Sequence, residues 1–441
     1  MDVDQPPKPD DSGDTAAVHK PSQRSRTASD TSTTPEGSII STRTLRSEDL
    51  EFVTENGRTY ANEIYFLPCD QAEQDRLAIQ HQVFLHALKG KLTTTPITHH
   101  TRRVLDLGTG PGDWAVAMAK QYPHLEVVGI DMAVWDLGEA DTEANRVIWE
   151  LDDLDVWGVD TDVDDLTLRL EQYDLLHDVT HRNPTEIEAP SRARRQNSQP
   201  PLQPQTQSHR DSPEASSPST SHEPSVLESE LRPGWNFSSP FDLIHLRNMK
   251  GAFGYWDEVY AEIYKNLRPG GYVEVADYEV LPPDLLNRGV AQEDSTTTYH
   301  LPTVRRLFLT MMEASFKAGR PLGLFYMHRT FLEDAGFKDV RTTAYVNVPV
   351  GQWPEDEEQR RLGKMFLVVL MESLEAHVLR LATKWGDRER VWGEEEVREQ
   401  IEVAKGEILE WKGGEGEGGM DVKLKGWCAG FRWVVGRKPG G

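Results

Sequence analysis

The chain has 441 residues, only two of them cysteine, and a formal net charge of −25 at pH 7. This acidic balance argues against direct nucleic-acid binding, which needs clustered Lys and Arg. Cys69 and Cys428 lie far apart and outside any metal-ligand spacing, so we expect neither a disulfide framework nor a metal site. No run of 18 apolar residues occurs, and we therefore expect an intracellular protein of the cytoplasm or nucleus without a membrane segment.

Two segments have the composition of disordered chain. Residues 1–45 and 181–233 contain no Phe, Trp or Tyr and are rich in Ser, Thr and Pro. Such segments bury too little apolar surface to offset the loss of chain entropy on folding. We expect a disordered tail over 1–45 and an inserted loop over 158–234, acidic at first and then disordered. The remaining ranges, 46–157 and 235–439, are predicted to form one principal domain.

The first ordered elements along the chain predict a strand–loop–helix–strand unit. "RVLDLG" at 103–108 and "EVVGID" at 126–131 are short apolar runs typical of strands buried on both faces. "DWAVAMAKQY" at 113–122 lies between them and is rich in helix-forming residues. This order is a βαβ unit, and its first turn lies at the carboxyl edge of the sheet, where open α/β folds bind ligands.

That turn carries Gly108, Gly110 and Gly112 between two acidic residues, Asp106 and Asp131. Glycine admits positive φ, and its missing Cβ lets a ligand approach the backbone. The spacing is G-x-G-x-G, whereas a dinucleotide site has G-x-G-x-x-G. Asp106 would repel a pyrophosphate but suits an ammonium group, directly or through water, and Asp131 can accept two hydrogen bonds from a ribose diol. The alternative is that both aspartates only cap a turn or helix.

At this point the chain resembles the class I S-adenosylmethionine-dependent methyltransferases, and more narrowly the fungal LaeA-like family. The family's core block reads VLDLGTGTGIWAIDMA and continues to ViGID, against VLDLGTGPGDWAVAMA and VVGID here. The resemblance covers about 50–157 and 235–439. It rests on these further blocks: NGRTYANEIYFLPCDQAEQDRLAIQHQVFLHAL (56–88), FDLIHLRNM (241–249), LRPGGYVEVADY (267–278), LEDAGFKDV (332–340) and FRWVVGRKP (431–439).

The resemblance implies a fold, a cofactor and a reaction. The expected fold class is α/β, a doubly wound, seven-stranded Rossmann-like sheet with an antiparallel last strand. The cofactor would be S-adenosyl-L-methionine, and the reaction would be methyl transfer to a small-molecule or protein acceptor.

The resemblance also assigns individual residues. Asp152 and Asp153 would follow the third strand, where one carboxylate accepts from the adenine amino group, although 150–165 is also acidic enough to be a solvated stretch. Met132 belongs to the same predicted pocket. Strand alternation in FDLIHLRNM places Arg247 on one face with His245, near the edge that would carry the methyl group, where Arg247 would hold the methionine carboxylate or orient a substrate. By resemblance alone, Tyr60 would close over the cofactor. Arg247 and Tyr60 are the only catalytic candidates, and no general base is predicted.

Some features depart from the family pattern. Pro111 and Asp113 replace small or apolar loop residues, and Asp113 would either lie near the methionine carboxylate or cap the following helix. After the second strand the chain reads MAVWD where the family has a Ser-Pro turn. His81 lies on an apolar helical stripe, and we expect both it and His245 to serve packing. The acidic run at 160–171 mimics a calcium loop but lacks the required glycine, so we expect no calcium there.

Two amphipathic segments follow the predicted sixth strand, at 355–386 and 393–414. We expect them to form a helical lobe over 355–414, beside the substrate opening or packed on the core. The apolar stripe of the first segment consists of Phe366, Val369, Leu370, Leu374 and Val378.

These observations favour a methyltransferase of unknown acceptor, linked through its resemblance to fungal secondary metabolism. Two alternatives from other classes remain at this stage. The chain can be a regulatory protein that binds a protein partner and keeps an idle cofactor pocket. A nicotinamide-dependent oxidoreductase is the third interpretation, which the glycine spacing and Asp106 disfavour.

Overall fold

The computed structural model describes residues 22–23, 52–136, 146–155, 234–235, 237–286, 300–411 and 426–440. The predicted tail over 1–45, apart from Ser22–Gln23, lies outside these residues, as does almost all of the inserted loop over 158–234. The calcium-like run at 160–171 also lies outside them. The disorder predicted for these segments therefore stays a prediction.

The centre of the molecule is a mixed β-sheet. Its strand order is β1-β6-β5-β4-β7-β8-β10-β9, and β2 and β3 form a separate hairpin. The strands from β6 to β8 are mutually parallel, whereas β10 runs antiparallel to both β8 and β9. The strands are β1 (Ser22–Gln23), β2 (Val53–Glu55), β3 (Arg58–Tyr60), β4 (Arg103–Leu107), β5 (Glu126–Asp131), β6 (Val147–Leu151), β7 (Phe241–Arg247), β8 (Leu267–Glu279), β9 (Lys338–Pro349) and β10 (Cys428–Arg437).

Helices cover both faces of this sheet. On one face α3 and α6 pack against β4, β5, β7 and β8, and on the other α2 packs near β4 and β5 while α1, α5, α7 and α8 pack over β8, β9 and β10. The helices are α1 (Gln71–Ala87), α2 (Asp113–Gln121), α3 (Trp256–Asn266), α4 (Pro283–Leu286), α5 (Pro302–Lys317), α6 (Arg329–Asp334), α7 (Glu357–Lys384) and α8 (Glu394–Glu410).

The predicted architecture is confirmed. Seven strands form a doubly wound sheet with the last strand antiparallel, and the two-residue β1 adds a short eighth strand beside β6. The βαβ unit lies where the sequence predicts it, as β4, α2 and β5. Helices α7 and α8 lie within the two ranges predicted to be helical. The β2–β3 hairpin was not predicted; its turn is Asn56–Gly57, with both residues at positive φ, the usual signature of a two-residue hairpin turn.

Strand alternation decides which side chains reach which face. In β4 and β7 the apolar Leu105 and Ile244 pack on the α3 side, and their polar neighbours Asp106 and His245 face the other side. Because β4, β5 and β7 are parallel neighbours, their carboxyl ends meet at one edge. The polar residues of these strands therefore converge at that edge.

Candidate active site

A cavity of about 1090 Å³, part of it open to solvent, lies at this carboxyl edge. Its walls come from the loops after β4, β5, β6 and β7, from the segment before α1 and from α1 itself. Eight of the residues assigned from the sequence line it together: Asp106, Gly108, Gly110, Asp131, Met132, Asp152, Asp153 and Arg247. Gly112 and Tyr60 do not line it.

The three loop glycines have different surroundings. All three have positive φ, at 67°, 57° and 87° for Gly108, Gly110 and Gly112. A Cβ on Gly110 would meet only a leucine methyl at 3.7 Å, so this backbone is open toward the cavity. A Cβ on Gly108 would lie 2.5 Å from the sulfur of Met249. A Cβ on Gly112 would overlap the indole ring of Trp149, so the missing side chain there makes room for the protein's own packing.

Asp131 connects the glycine loop to the end of β5. One carboxylate oxygen accepts from the Gly110 N–H at 2.8 Å, and the other accepts from the Ala133 N–H at 2.9 Å. Each oxygen has a second lone pair that can accept from a ligand hydroxyl. Burial raises the pKa of Asp131 above its ordinary value, while the two backbone N–H groups and the indole N–H of Trp135 oppose that shift. A ligand that donates to this carboxylate would stabilise the ionised form.

Asp106 connects the glycine loop after β4 to the neighbouring strand β7. Its carboxylate accepts from the Thr109 hydroxyl at 2.7 Å and lies 3.0 Å from Nδ1 of His245. The His245 ring stacks on Trp114 with centroids 3.8 Å apart, and its Nε2 lies 4.0 Å from a carboxylate oxygen of Glu274. His245 is thus buried between two carboxylates, and the packing role expected for it stays a prediction.

Arg247 is the one Lys or Arg among the described residues that line this cavity. Its guanidinium donates to Nδ1 of His81 at 3.1 Å and lies over the Phe84 ring. Burial and the positive charge of Arg247 lower the pKa of His81 to about 3, so the imidazole is neutral and accepts this hydrogen bond. Burial also lowers the pKa of Arg247, while the charges of Asp106 and Asp113 counteract that shift. The histidine therefore positions the guanidinium without neutralising it.

Tyr60 lies in a different place from the one assigned to it. It is 1% exposed, at the end of the β2–β3 hairpin, and the guanidinium of Arg380 lies 4.2 Å from the centroid of its ring. Burial raises the pKa of Tyr60 to about 12. The same Arg380, fully buried in α7, donates to the carbonyls of Asn62 and Tyr65. Tyr65, not Tyr60, lines the cavity, and α7 fixes the loop that carries it.

The remaining assigned residues form the far wall. Met132 follows β5 and its sulfur lies 3.8 Å from the side-chain nitrogen of Asn62. Asp152 and Asp153 follow β6, and Asp153 accepts from the Asp155 N–H at 3.0 Å. Asp113 begins α2 without capping it, because the capping position belongs to Gly112. Burial raises the pKa of Asp113, and the charge of Arg247 opposes the shift.

Sequence reasoning missed several lining residues, and Asn248 is the most informative. It follows β7 directly and has a φ of 59°, which is uncommon for a residue other than glycine. Its buried side-chain oxygen has no hydrogen-bond partner among the described residues. The signal was available, because Asn248 lies at the same carboxyl edge as Arg247. The other missed residues include Tyr65, Glu73, Gln80, Met249, Ala252 and Phe253.

The lining residues fit the cofactor that the resemblance implies. S-adenosylmethionine carries an ammonium, a sulfonium, a carboxylate and a ribose diol. Carboxylates outnumber cationic groups around the cavity, which favours a ligand with two positive centres. Arg247 supplies a partner for a carboxylate, and Gly110 leaves open backbone beside Asp131. Met132 and Phe253 provide apolar walls for a purine.

Two further properties concern the described residues as a whole. None of their helices is long and apolar enough to cross a bilayer. Within the same residues there is no group of three or more His, Cys, Asp or Glu side chains arranged to hold a metal ion.

Comparison with known proteins assigns the family. Residues 79–340 match the family model described as a methyltransferase domain. The chain is similar to the secondary metabolism regulator LAE1 of Cochliobolus heterostrophus, at 27% identity over 73% of this chain and 78% of that protein. It is also similar to the protein-methionine methyltransferase laeA of Emericella nidulans, at 26% identity over 75% of this chain and 65% of that protein.

A solved structure, the phosphoethanolamine N-methyltransferase 2 of Haemonchus contortus with S-adenosyl-L-methionine, aligns over 83% of this chain and 52% of that one, at 13% identity and a TM-score of 0.35. The family model covers more than half of the 441 residues. The chain therefore belongs to the methyltransferase domain family and is an S-adenosylmethionine-dependent methyltransferase with a LaeA-like sequence.

Proposed function

We propose that this protein transfers the methyl group of S-adenosylmethionine to an acceptor held beside Asn248, in the service of secondary metabolism. The observation that carries the proposal is the convergence of Asp131, Arg247 and the open backbone of Gly110 on one cavity. The link to secondary metabolism rests on relatives that are named as its regulators.

Each polar group has a distinct task in this proposal. The free lone pairs of the Asp131 carboxylate accept from the ribose hydroxyls, and the two backbone N–H groups fix that carboxylate in place. The Arg247 guanidinium binds the methionine carboxylate, oriented by neutral His81. Asp152 or Asp153 accepts from the adenine amino group, and Asp106 contributes negative charge toward the ammonium.

When bound, the cofactor supplies an electrophilic methyl group, so the protein's main contribution is to hold a nucleophile in line with it. Asn248 lies at the end of β7 with an unpaired acceptor oxygen, and an unpaired buried acceptor costs free energy unless a ligand donates to it. An acceptor hydroxyl or amine that donates to this oxygen would be oriented beside the cavity. We therefore assign Asn248 to positioning of the acceptor.

The test is the formation of S-adenosylhomocysteine from S-adenosylmethionine when extract of the source organism is added. Small-molecule and protein fractions are assayed separately, which identifies the class of acceptor. Asn248→Ala should lower the turnover rate at least about tenfold, because correct orientation contributes strongly to transfer, and should leave cofactor affinity unchanged. Equal turnover of the wild type and the variant, with an active fraction, would remove Asn248 from this role.

A second candidate acceptor lies inside the protein. The thioether of Met249 lies directly over Gly108 at the cavity wall, and one relative is named a protein-methionine methyltransferase. A lone pair of the Met249 sulfur would form the new S–CH3 bond as the bond from the donor sulfonium to that methyl group breaks. S-adenosylhomocysteine then leaves as a neutral sulfide, and Met249 keeps the positive charge.

Mass spectrometry of the purified protein after incubation with S-adenosylmethionine tests this second candidate. We expect a peptide containing Met249 to gain the mass of one methyl group. Met249→Leu keeps the apolar volume and should abolish that gain. Met132→Leu is the matched control, since Met132 lines the same cavity, and it should leave the gain intact. An unmodified Met249 peptide in the wild type would exclude self-methylation at this residue.

A further inference from the structure

A second cavity lies beside the first and shares none of its described lining residues. Helices α5, α7 and α8 and the end of β8 form its walls, and it contains about 880 Å³ of space, part of it open to solvent. A single residue, Met249, separates Asn248, which lines the first cavity, from Lys250, which lines the second. The buried Arg76 also bridges the two walls, because it donates to Gln80 on one side and to Ser373 on the other.

The lining of the second cavity is almost wholly apolar. Phe308, Met311, Met312 and Leu374 are examples, and these four side chains are only partly buried. Methionine side chains are flexible and polarisable and adapt to irregular apolar ligands. The size and composition of this space are those of small-molecule pockets, which are mostly apolar with a few polar groups that orient the ligand.

Apart from Tyr278, the polar lining residues are Lys250, Glu279, Ser373 and His377. The Lys250 ammonium is already paired with Asp277, donates to the Tyr278 carbonyl and lies over the Tyr278 ring. It is therefore not free to bind an anion. Glu279 is a second reason against an anionic ligand, because this acidic residue lines the same space.

His377 differs from Lys250 because one of its ring nitrogens remains available as an uncharged acceptor. Its Nδ1 lies 3.0 Å from the carbonyl oxygen of Ser373, which can only accept, so Nδ1 carries the proton. The neutral ring then has a bare acceptor at Nε2, and no hydrogen bond to that atom is present among the described residues. Burial lowers the pKa of His377 to about 3, so the ring stays neutral at physiological pH.

We propose that this second cavity binds an uncharged apolar small molecule that carries one hydrogen-bond donor, and that the donor is received by Nε2 of His377. Aromatic alcohols are the simplest members of this ligand class. The site is separate from the cofactor cavity, so ligand binding there does not require the cofactor. It is adjacent through Arg76 and the Asn248–Lys250 segment, which places the ligand next to the methyl-transfer site.

The test uses calorimetry on the full chain with two probes of nearly equal size, 2-naphthol and 2-methoxynaphthalene. Both should bind, and 2-naphthol should bind about fivefold more tightly, because only it can donate a hydrogen bond to Nε2. His377→Phe keeps an aromatic ring in place and should remove that preference while retaining binding of 2-methoxynaphthalene. A role of His377 in packing alone would not produce a difference between the two probes.

A cavity-filling variant gives an independent readout. Leu374→Trp should weaken both probes by about tenfold or more, because the larger ring occupies the space. Val368→Trp is the matched control on the same helix, at a residue that is 41% exposed, and should have no effect. S-adenosylhomocysteine should bind all of these variants like the wild type. Absence of saturable binding of both probes, or binding unchanged by Leu374→Trp, would overturn the proposal, whatever the outcome for the cofactor.

Discussion

Replacing Asp131 with asparagine should weaken the binding of S-adenosylhomocysteine by roughly a hundredfold. Asparagine keeps the shape of the side chain but exchanges one carboxylate oxygen for an NH2 group and removes the charge. The variant keeps one acceptor oxygen, so one of the two hydrogen bonds from the ribose diol is lost and the other goes to an uncharged oxygen. The backbone bond from Gly110 or Ala133 that is also lost affects the free and the bound protein alike and does not enter the affinity. A hydrogen bond to a charged group contributes about 1.5–3 kcal/mol, so the combined loss of binding free energy is about 3 kcal/mol.

The assay is calorimetric titration of wild type and variant at pH 7, with unfolding followed in parallel. Asp242→Asn is a matched control, because Asp242 also accepts two backbone N–H bonds, from Arg102 and Arg103, but lies at the opposite edge of the sheet. The control should lose local hydrogen bonds without losing affinity. If Asp131→Asn bound the ligand within threefold of the wild type, the proposed contact between this carboxylate and the ribose would be refuted.

The same carboxylate predicts a pH dependence of binding. Burial raises the pKa of Asp131 in the free protein, and the ionised form accepts hydrogen bonds from both ribose hydroxyls more strongly than the protonated form does. Affinity should therefore be full above that raised pKa and fall as the pH drops through it, beginning above the ordinary aspartate value of about 3.9. The decline should be shallower in Asp131→Asn, which has no proton to gain. Parallel curves for the two proteins would contradict this assignment.

Three further predictions concern the stability of the site. Gly112→Ala should lower the free energy of unfolding in urea by about 2–4 kcal/mol, because the new methyl group adds positive-φ strain and overlaps an indole ring. Gly110→Ala should lower it by only about 1 kcal/mol but should reduce cofactor affinity more. Equal losses of stability in the two variants would disprove the packing role of Gly112. His81 has a pKa of about 3 in the folded protein and about 6.5 in the unfolded chain, so the free energy of unfolding should fall as the pH drops between these values. Between pH 7 and pH 5, this free energy should change with pH by up to about 1.4 kcal/mol per pH unit less in His81→Gln than in the wild type. Identical pH dependences would disprove the depressed pKa of His81. Asp155→Ala should lower the free energy of unfolding by about 3–5 kcal/mol, because it leaves the buried Arg320 charge without its ion-pair partner. The double variant Asp155→Ala/Arg320→Met should recover part of this stability. No recovery would contradict the ion-pair explanation.

The sequence predicts the βαβ unit and its ligand edge well because both depend on short-range patterns. β4, α2 and β5 follow one another directly, and the parallel crossover brings Asp106 and Asp131 to the same edge. The antiparallel position of β10 is not visible in local patterns and came from the family resemblance. The sequence-based assignment placed Tyr60 over the cofactor, whereas Tyr65 lines the cavity. The Asn56–Gly57 turn is a local signal for a hairpin, and it places Tyr60 at the end of the second hairpin strand.

Other features depend on contacts between distant segments. The role of Gly112 follows from strand register, which pairs Gly129 with Trp149 and brings the indole under the loop. Arg380 reaches the loop of Tyr65 only because α7 packs on α1 and the hairpin. The second cavity exists because three helices leave a gap at the end of β8. No spacing of apolar residues within one helix predicts such a gap.

We propose that the cavity at the carboxyl edge binds S-adenosylmethionine and not a dinucleotide. Calorimetric titration of the full chain with S-adenosylhomocysteine and, in a separate run, with NAD tests it most directly. We expect saturable micromolar binding of S-adenosylhomocysteine and no heat of binding with NAD. Saturable binding of NAD, or no binding of S-adenosylhomocysteine, would contradict it.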